Sequence, residues 1–370
     1  MNDKIGLVTF YNGNFGSILQ CYATKTTLER MGLNVVVLDE RREEAAPLSA
    51  AQKIEKHLKA TLRDPGYLFE KIKYHGLRSA LSAETASRMN SFVQKEFQPV
   101  CLEWDDLSEY SETLNACIVG SDQVWNFSDS YQRIYGLEFL PREKRIAFAV
   151  SLGVEKVDDQ FTSRLRHVAG MFAEISVREE TGRKLIAASS ATPVMRIADP
   201  TLLLTQKEWE DFSSAAALKD SHYVLAHFLD RPSVMAVKKM REFEKKSGKK
   251  VLFIGYYYDL IPKMGWCYQD CGPTEYVAYI KEADCIFTDS YHTSIFSINL
   301  GKQFYVFPRM YRHRYPQTSR ITDLLSLFGL SNRYITAELP PDYDRNEAAI
   351  DAERQKTKNY LEQQIKKRVI

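Results

Sequence analysis

The first forty residues run strand, glycine turn, helix, strand, and this order restricts the chain to an α/β fold. Residues 4–10 form a short apolar, β-rich run, broken by Asn12, Gly13, Asn14 and Gly16. From Ser17 onward, Ile18, Tyr22, Thr26 and Met31 recur with helix-like spacing, and Gly32 stands where a helix C-terminus favours a left-handed residue. Residues 33–38 are a second apolar run. A βαβ opening of this kind requires a parallel sheet and a right-handed crossover.

The pattern continues along the chain. Residues 116–119, 145–151, 174–177 and 194–197 read as further strands, with Ala198-Asp199-Pro200 closing a first domain. A second set follows at 223–228, 251–254, 285–288 and 304–307, with helical stretches between them. At 370 residues the chain is too long for one ordinary core. It divides into a domain over 1–205 carrying a helical insertion at about 49–97, a domain over 206–345, and a C-terminal helix over 346–370. Two open α/β sheets in tandem place the ligand cleft between them, at the carboxyl ends of the strands.

Hydrophobic residues make up 44% and charged residues 26%, an ordinary globular balance. A net charge of +2 supplies no whole-protein field for nucleic acid. The N-terminus lacks a signal-peptide pattern, and no apolar run approaches the roughly 20 residues of a membrane span. A cytoplasmic location is expected, so the six cysteines read as reduced thiols, including the close pair Cys267 and Cys271, which has no metal-ligand partners nearby. Between residues 51 and 80 there are seven Lys/Arg against three Asp/Glu. That segment is a solvated helix face or a surface that rests on anionic lipid.

Four constellations carry chemistry. Asn12 and Asn14 lie in a glycine turn at the start of the first helix, suited to an anion or a sugar hydroxyl, or simply to a tight turn. Ser121, Asp122, Gln123 and Trp125 follow the strand at 116–119. They suit sugar recognition, with Asp122 also placed to act on a hydroxyl, or else cap a helix. Arg178 closes the strand at 174–177, where a guanidinium can fork onto phosphate or carboxylate or form a salt bridge. Ser290, His292, Thr293 and Ser294 open a helix after the strand at 285–288, and Arg320 begins another helix downstream. Arg309, Arg312, His313 and Arg314 read mostly as a solvated loop.

At these places the sequence resembles the polysaccharide pyruvyl transferase family. The segment Thr9 to Gln20 matches its N-terminal block, and Gly120 to Asn126 matches its most distinctive internal block. Ser176-Val177-Arg178-Glu179, Asp199-Pro200-Thr201, the residues around Ser290 and His292, and Ser319-Arg320-Ile321 follow in the family's order. The resemblance implies a GT-B-like pair of Rossmann-like domains and a phosphoenolpyruvate-dependent transfer of pyruvyl to two hydroxyls of a sugar. It implies no nucleotide, and nothing in the sequence requires a cofactor or a metal. It makes Arg178, His292 and Arg320, with Ser290, the donor-anion ligands. Ketal formation needs an acid for the methylene carbon and a base for each hydroxyl, and Asp122 and His292 are the candidates, Asp122 if its pKa is raised. Asn12, Asn14, Ser121, Asp122, Gln123 and Trp125 fall on the acceptor side, with Trp125 as a stacking face. A lipid-linked saccharide acceptor and peripheral contact with an anionic membrane would follow from a role in surface polysaccharide synthesis. The chain departs from the family at Thr293, where Gly is usual, a change expected to narrow the space beside the donor. Ser17 stands where some members carry Asp. The competing functions are a nucleotide-sugar glycosyltransferase of the same architecture and a non-catalytic sugar-binding protein.

Overall fold

The computed structural model describes residues 3–41, 55, 58, 81–127, 131–216, 218, 222–309 and 318–369. Apart from Glu55 and Leu58, the basic segment 51–80 lies outside the described residues, as do Arg312, His313 and Arg314.

Two parallel sheets organise the molecule. The first is built from β1 (Lys4–Val8), β2 (Asn34–Glu40), β3 (Val100–Leu102), β4 (Ala116–Val119), β5 (Arg145–Val150), β6 (Ile175–Val177) and β7 (Val194–Arg196), in the order β3-β2-β1-β4-β5-β6-β7. The second contains β8 (Val224–His227), β9 (Val251–Ile254), β10 (Cys267–Gln269), β11 (Cys285–Thr288) and β12 (Phe304–Val306), in the order β10-β9-β8-β11-β12. Central strands such as β4 and β8 are buried at every position, which is why they appear in the sequence as unbroken apolar runs. The edge strands β3 and β10 are three residues long and only partly buried, too short and mixed to stand out by pattern. In each sheet the order reverses direction beside the first strand: β1 between β2 and β4, β8 between β9 and β11. These are the points where open α/β sheets form crevices.

The helices that position the site are α1 (Phe15–Arg30), α2 (Ala83–Glu96), α3 (Trp104–Ser111), α4 (Asp159–Gly170), α5 (Glu180–Ser189), α6 (Gln206–Ser213), α7 (Val234–Ser247), α8 (Pro273–Glu282), α9 (Tyr291–Asn299), α10 (Ser319–Leu327) and α11 (Glu347–Val369). Helix α1 has little amphipathic contrast because it is enclosed on most sides, by the first sheet and by α8 of the second domain. Phe15 on its first turn stacks on Tyr276 of α8, with ring centroids 4.6 Å apart, so one hydrophobic cluster runs through both domains. Helix α11 returns to the first domain. Thr357 accepts a hydrogen bond from the Ala198 amide at 2.9 Å, and Glu353 pairs with Arg196 at 2.6 Å. Cys267 is exposed on β10 and Cys271 is buried beyond it. No described helix is long and apolar enough to cross a membrane.

Candidate active site

The carboxyl ends of β4 and β6 and the starts of α1, α9 and α10 converge on one buried polar cluster. Past β4 the chain turns sharply. Gly120 has φ +108°, and a Cβ there would lie 2.2 Å from the Phe148 carbonyl oxygen, so glycine is required. Asp122 itself sits at φ +64°. This turn aims the Asp122 carboxylate back toward α1, where Oδ2 accepts the Ser17 hydroxyl at 2.5 Å. Ser17 is held in turn by Asn14, which caps α1 by accepting the Ser17 amide and donates Nδ2 to Ser17 Oγ at 2.8 Å.

Arg178 follows β6 and has a fully buried side chain between two carboxylates. Nη1 donates to Asp199 Oδ2 at 2.7 Å and Nη2 to Asp122 Oδ1 at 3.2 Å. Its guanidinium carbon lies 4.4 Å from the centre of the Tyr291 ring. His292, the second residue of α9, brings Nε2 to 3.4 Å from Arg178 Nη1 and 3.6 Å from Asp199 Oδ2. The first domain covers this imidazole with bare backbone: a Cβ on Gly16 would sit 2.0 Å from His292 Nδ1. Arg320, on the first turn of α10, faces the Gln123 amide oxygen at 2.8–2.9 Å, an orientation of the amide set by that contact. Helix α10 is fastened to the first domain, since Glu155 accepts the Ser319 amide at 2.7 Å and Asp323 accepts the Thr181 amide at 2.8 Å.

Electrostatics separate the roles of these groups. Burial alone would raise the Asp122 pKa, but Arg178, His292 and the Ser17 hydroxyl hold it down at about 2. Asp122 is therefore a permanent carboxylate. The sequence-based expectation of an acid or base with a raised pKa is corrected. Burial depresses His292 to about 4 despite the pull of Asp199 and Asp122. At neutral pH His292 is a neutral imidazole, able to take a proton, and is not a third cation for the donor. Burial and the neighbouring Arg178 and Arg309 lower Arg320 to about 10, which leaves it charged. Burial raises Glu179, whose Oε1 accepts from the Ser151 hydroxyl and the Leu152 and Gly153 amides.

The remaining expected residues divide clearly. Gln123 stays in the cluster, Asn14 supports it through Ser17, and Asn12 is exposed on the rim. Trp125 is not a stacking face. It is 0% exposed, packs on Phe172 and donates Nε1 to the Tyr135 carbonyl, because the chain past Asp122 turns inward under the sheet's end. Ser121 is also interior, its hydroxyl donating to the Ala149 carbonyl at 2.8 Å. Ser290 is buried and caps α9 by accepting the Thr293 amide. Thr293 does not narrow the donor space. Its hydroxyl points into the second domain, 2.8 Å from His227 Nδ1 and 2.9 Å from the Tyr276 hydroxyl.

Sequence reasoning passed over four contributors: Asp199, quoted only within a motif, and Tyr291, Arg309 and His227. The available signal was position, since His227 ends an apolar strand and Arg309 follows one.

A model of the polysaccharide pyruvyl transferase family matches residues 14–309. No curated protein sequence matches the chain. Among solved structures it is similar to a candidate UDP-N-acetylglucosamine 2-epimerase from Listeria monocytogenes, with TM-score 0.51 and 10% identity over 98% of this chain and 97% of that one. It is similar also to S. aureus MnaA in a structure with UDP, with TM-score 0.50 and 10% identity over 99% and 90% of the two chains. At this identity the likeness establishes the GT-B arrangement of two Rossmann-like domains and says nothing of substrate.

Proposed function

We propose, from the premise that this chain belongs to the polysaccharide pyruvyl transferase family, that it transfers the pyruvyl group of phosphoenolpyruvate to two hydroxyls of a saccharide. The observation that carries this reading is a neutral buried imidazole, His292, beside one locked arginine and within the field of a second, at the junction of two domains. A ketal-forming transfer needs such a set: a base for a weakly acidic hydroxyl, and cations for an anionic donor.

His292 takes the proton of the first sugar hydroxyl as its oxygen bonds to C2 of the donor. The methylene carbon C3 takes up one proton and becomes a methyl group. The bond from C2 to the phosphate oxygen then breaks, phosphate leaves, and the second hydroxyl attacks C2 and gives up its proton. One of the two hydroxyl protons is balanced by the new methyl hydrogen, the other leaves with phosphate or solvent. Asp122 stays ionised throughout, orienting Ser17 and Arg178. The Gly16 backbone closes over His292, which excludes water from the forming oxocarbenium centre.

The acceptor belongs on the first-domain side of His292, beside Asn12, Asn14 and Gln123. In this reading it is a saccharide on a lipid carrier, as the family's role in polysaccharide assembly suggests. The test is phosphate release from phosphoenolpyruvate in the presence of candidate lipid-linked saccharides, run in deuterated water. Expected are acceptor-dependent phosphate release and a product methyl group carrying one deuterium. Turnover of nucleotide-sugars with no phosphate release from phosphoenolpyruvate would transfer the assignment to a glycosyltransferase.

A further inference from the structure

We infer that an open cavity in the first domain, at the carboxyl end of β2, holds a further sugar unit of the acceptor, beyond the one that receives the pyruvyl group. This rests on the saccharide-acceptor reading above and extends that side of the site.

The cavity has a volume of about 700 Å³. Glu40 and Arg41 at the end of β2, Tyr131, Arg133 and Glu138 between β4 and β5, and His167 on α4 line it. The segments that build it also build the acceptor side. The chain leaving β4 forms the turn of Asp122 and Gln123 and then supplies a wall of the cavity. Trp125 ties these two parts together by donating Nε1 to the Tyr135 carbonyl at 3.0 Å. At the end of β1, Phe10 packs edge-on against Tyr135, with ring centroids 5.4 Å apart. The Tyr11 hydroxyl donates to Asp39 Oδ2 at 2.8 Å, one residue before Glu40. Asn12, exposed on the rim, comes next in the chain. Strands β2 and β4 flank β1, so the cavity stands about two strand spacings from Asp122, roughly 10 Å across the same end of the sheet. An acceptor with its reacting hydroxyls beside His292 reaches the cavity by extending along the carboxyl ends of β1 and β2.

The walls select the ligand class. Their charged groups are Arg41 and Arg133 against Glu40 and Glu138, and each is engaged within the protein. Arg133 donates Nη2 and Nε to Glu40 Oε1 at 3.1 and 3.3 Å, and its guanidinium carbon lies 3.6 Å from the centre of the Trp104 ring. Arg41 donates Nη2 to the Cys101 carbonyl at 3.2 Å and lies 3.9 Å from Glu103. Glu138 accepts the Tyr131 hydroxyl, and the Tyr131 ring meets His167 edge-on. Behind the walls stand Asp39, Glu103 and Arg145. This balance gives no net attraction for a phosphate or a carboxylate. It leaves fixed hydrogen-bonding groups instead, the Gln132 amide among them: a guanidinium keeps further N–H groups when one edge is engaged, and a carboxylate keeps a second oxygen. Pockets for apolar ligands are lined mainly by apolar side chains, and no aliphatic side chain among the described residues lines this one. Planar polar groups around a Tyr and a His ring match a ligand with many hydroxyls and an uncharged ring face, which is a neutral saccharide.

The experiment is NMR titration of the full-length protein, without donor, using uncharged mono-, di- and trisaccharides of hexose and N-acetylhexosamine units. It compares wild type, Arg133→Ala and His167→Trp, each checked by thermal melting. Arg133→Ala removes donors from the wall, and His167→Trp fills the cavity from its exposed rim. Wild type should bind a trisaccharide of this panel tighter than its component monosaccharide by about 10-fold or more, the yield of one or two added hydrogen bonds. Each variant should lose that gain and hold the monosaccharide as before. Wild type that binds no saccharide of the panel, or gains nothing with chain length, overturns the proposal. So do variants that bind the trisaccharide as wild type does, and losses equal for monosaccharide and trisaccharide. If Arg133→Ala melts too low to assay, His167→Trp decides on the same criteria. Phosphoenolpyruvate takes no part in this titration. A failure to release phosphate from it removes the pyruvyl-transfer reading and leaves the saccharide result to stand or fall by itself.

Discussion

Replacing Arg178 by Met tests whether the buried cluster is a charge-balanced scaffold or a donor clamp. The substitution keeps most of the aliphatic stem and its packing on Tyr291 but leaves Asp122 and Asp199 without their cation. Breaking a buried pair by removing one partner costs about 3–5 kcal/mol. An independent figure comes from Asp122 alone: its pKa of about 2 against an ordinary 3.8 corresponds to roughly 2.5 kcal/mol of stabilisation in the ionised state. In the variant Asp199 also loses its cation at 2.7 Å and is left with His292 at 3.6 Å. For a domain of about 200 residues the sum lowers the melting temperature by roughly 10 °C. The sign of the pH dependence follows from the direction of the shift. In wild type the folded value lies below the unfolded one, so this stabilisation is present above about pH 4 and is lost as pH falls toward 2. In the variant only His292, Arg320 and the Ser17 hydroxyl oppose burial, so the Asp122 pKa rises and protonation relieves the unpaired charge at a higher pH. The gap between variant and wild type should therefore shrink between pH 7.5 and pH 5. Melting followed by circular dichroism at both pH values measures it. A variant melting within about 2 °C of wild type at pH 7.5 would refute the reasoning, as would a gap unchanged by acid. Loss of donor affinity with stability intact would make Arg178 a direct ligand.

Three further outcomes follow from the same geometry. Gly16→Ala should lower kcat by about 100-fold with little change in donor affinity, because the new methyl group displaces the His292 ring; kcat within threefold of wild type would show that the ring is not in its working position. The pH profile of kcat/KM should be flat from neutrality down to about pH 5 and fall below that as His292 takes a proton near its pKa of about 4, so a limb centred near 6.5 would contradict a buried neutral base. Thr293→Gly, which restores the usual family residue, should destabilise this chain by about 1–3 kcal/mol, because it leaves His227 and Tyr276 without their shared hydroxyl; an unchanged or raised melting temperature would show that this network contributes nothing.

The fold was legible because parallel strands covered on both faces must be continuous apolar runs, and the junctions after β1, β4 and β11 are marked by glycine, serine or asparagine. The junctions also located the site, since functional groups in open α/β sheets gather at the carboxyl ends of strands. What could not be read was the direction of each side chain. Trp125 and Asp122 are three residues apart in one turn, yet one points under the sheet and the other toward α1. That outcome depends on the left-handed backbone at Asp122 and on the room beside Phe172, neither of which has a sequence signature. The partners of Arg178 were hidden for a different reason. Asp199 lies 21 residues further on and reaches Arg178 across the end of the sheet, a relation that emerges only when β6 and β7 are laid side by side.

These two failures share a consequence for how the site works. A sequence shows which residues can carry charge, but the sum of charge at a point depends on who faces whom. Counted along the chain, Arg178, His292 and Arg320 are three cations awaiting an anion. In the folded protein Arg178 is balanced by Asp199 and Asp122, His292 is neutral, and Arg320 lies against the Gln123 amide oxygen. Arg178 thereby orders His292, the base of the proposed reaction, through its contact with Nε2 at 3.4 Å. This arrangement has a chemical advantage. A histidine next to a cation-rich donor pocket would lose basicity with each added positive charge, and the two aspartates that neutralise Arg178 are the groups that raise the His292 pKa against burial. In the proposed reaction the carboxylates thereby keep the imidazole more basic than burial and the neighbouring arginines alone would leave it.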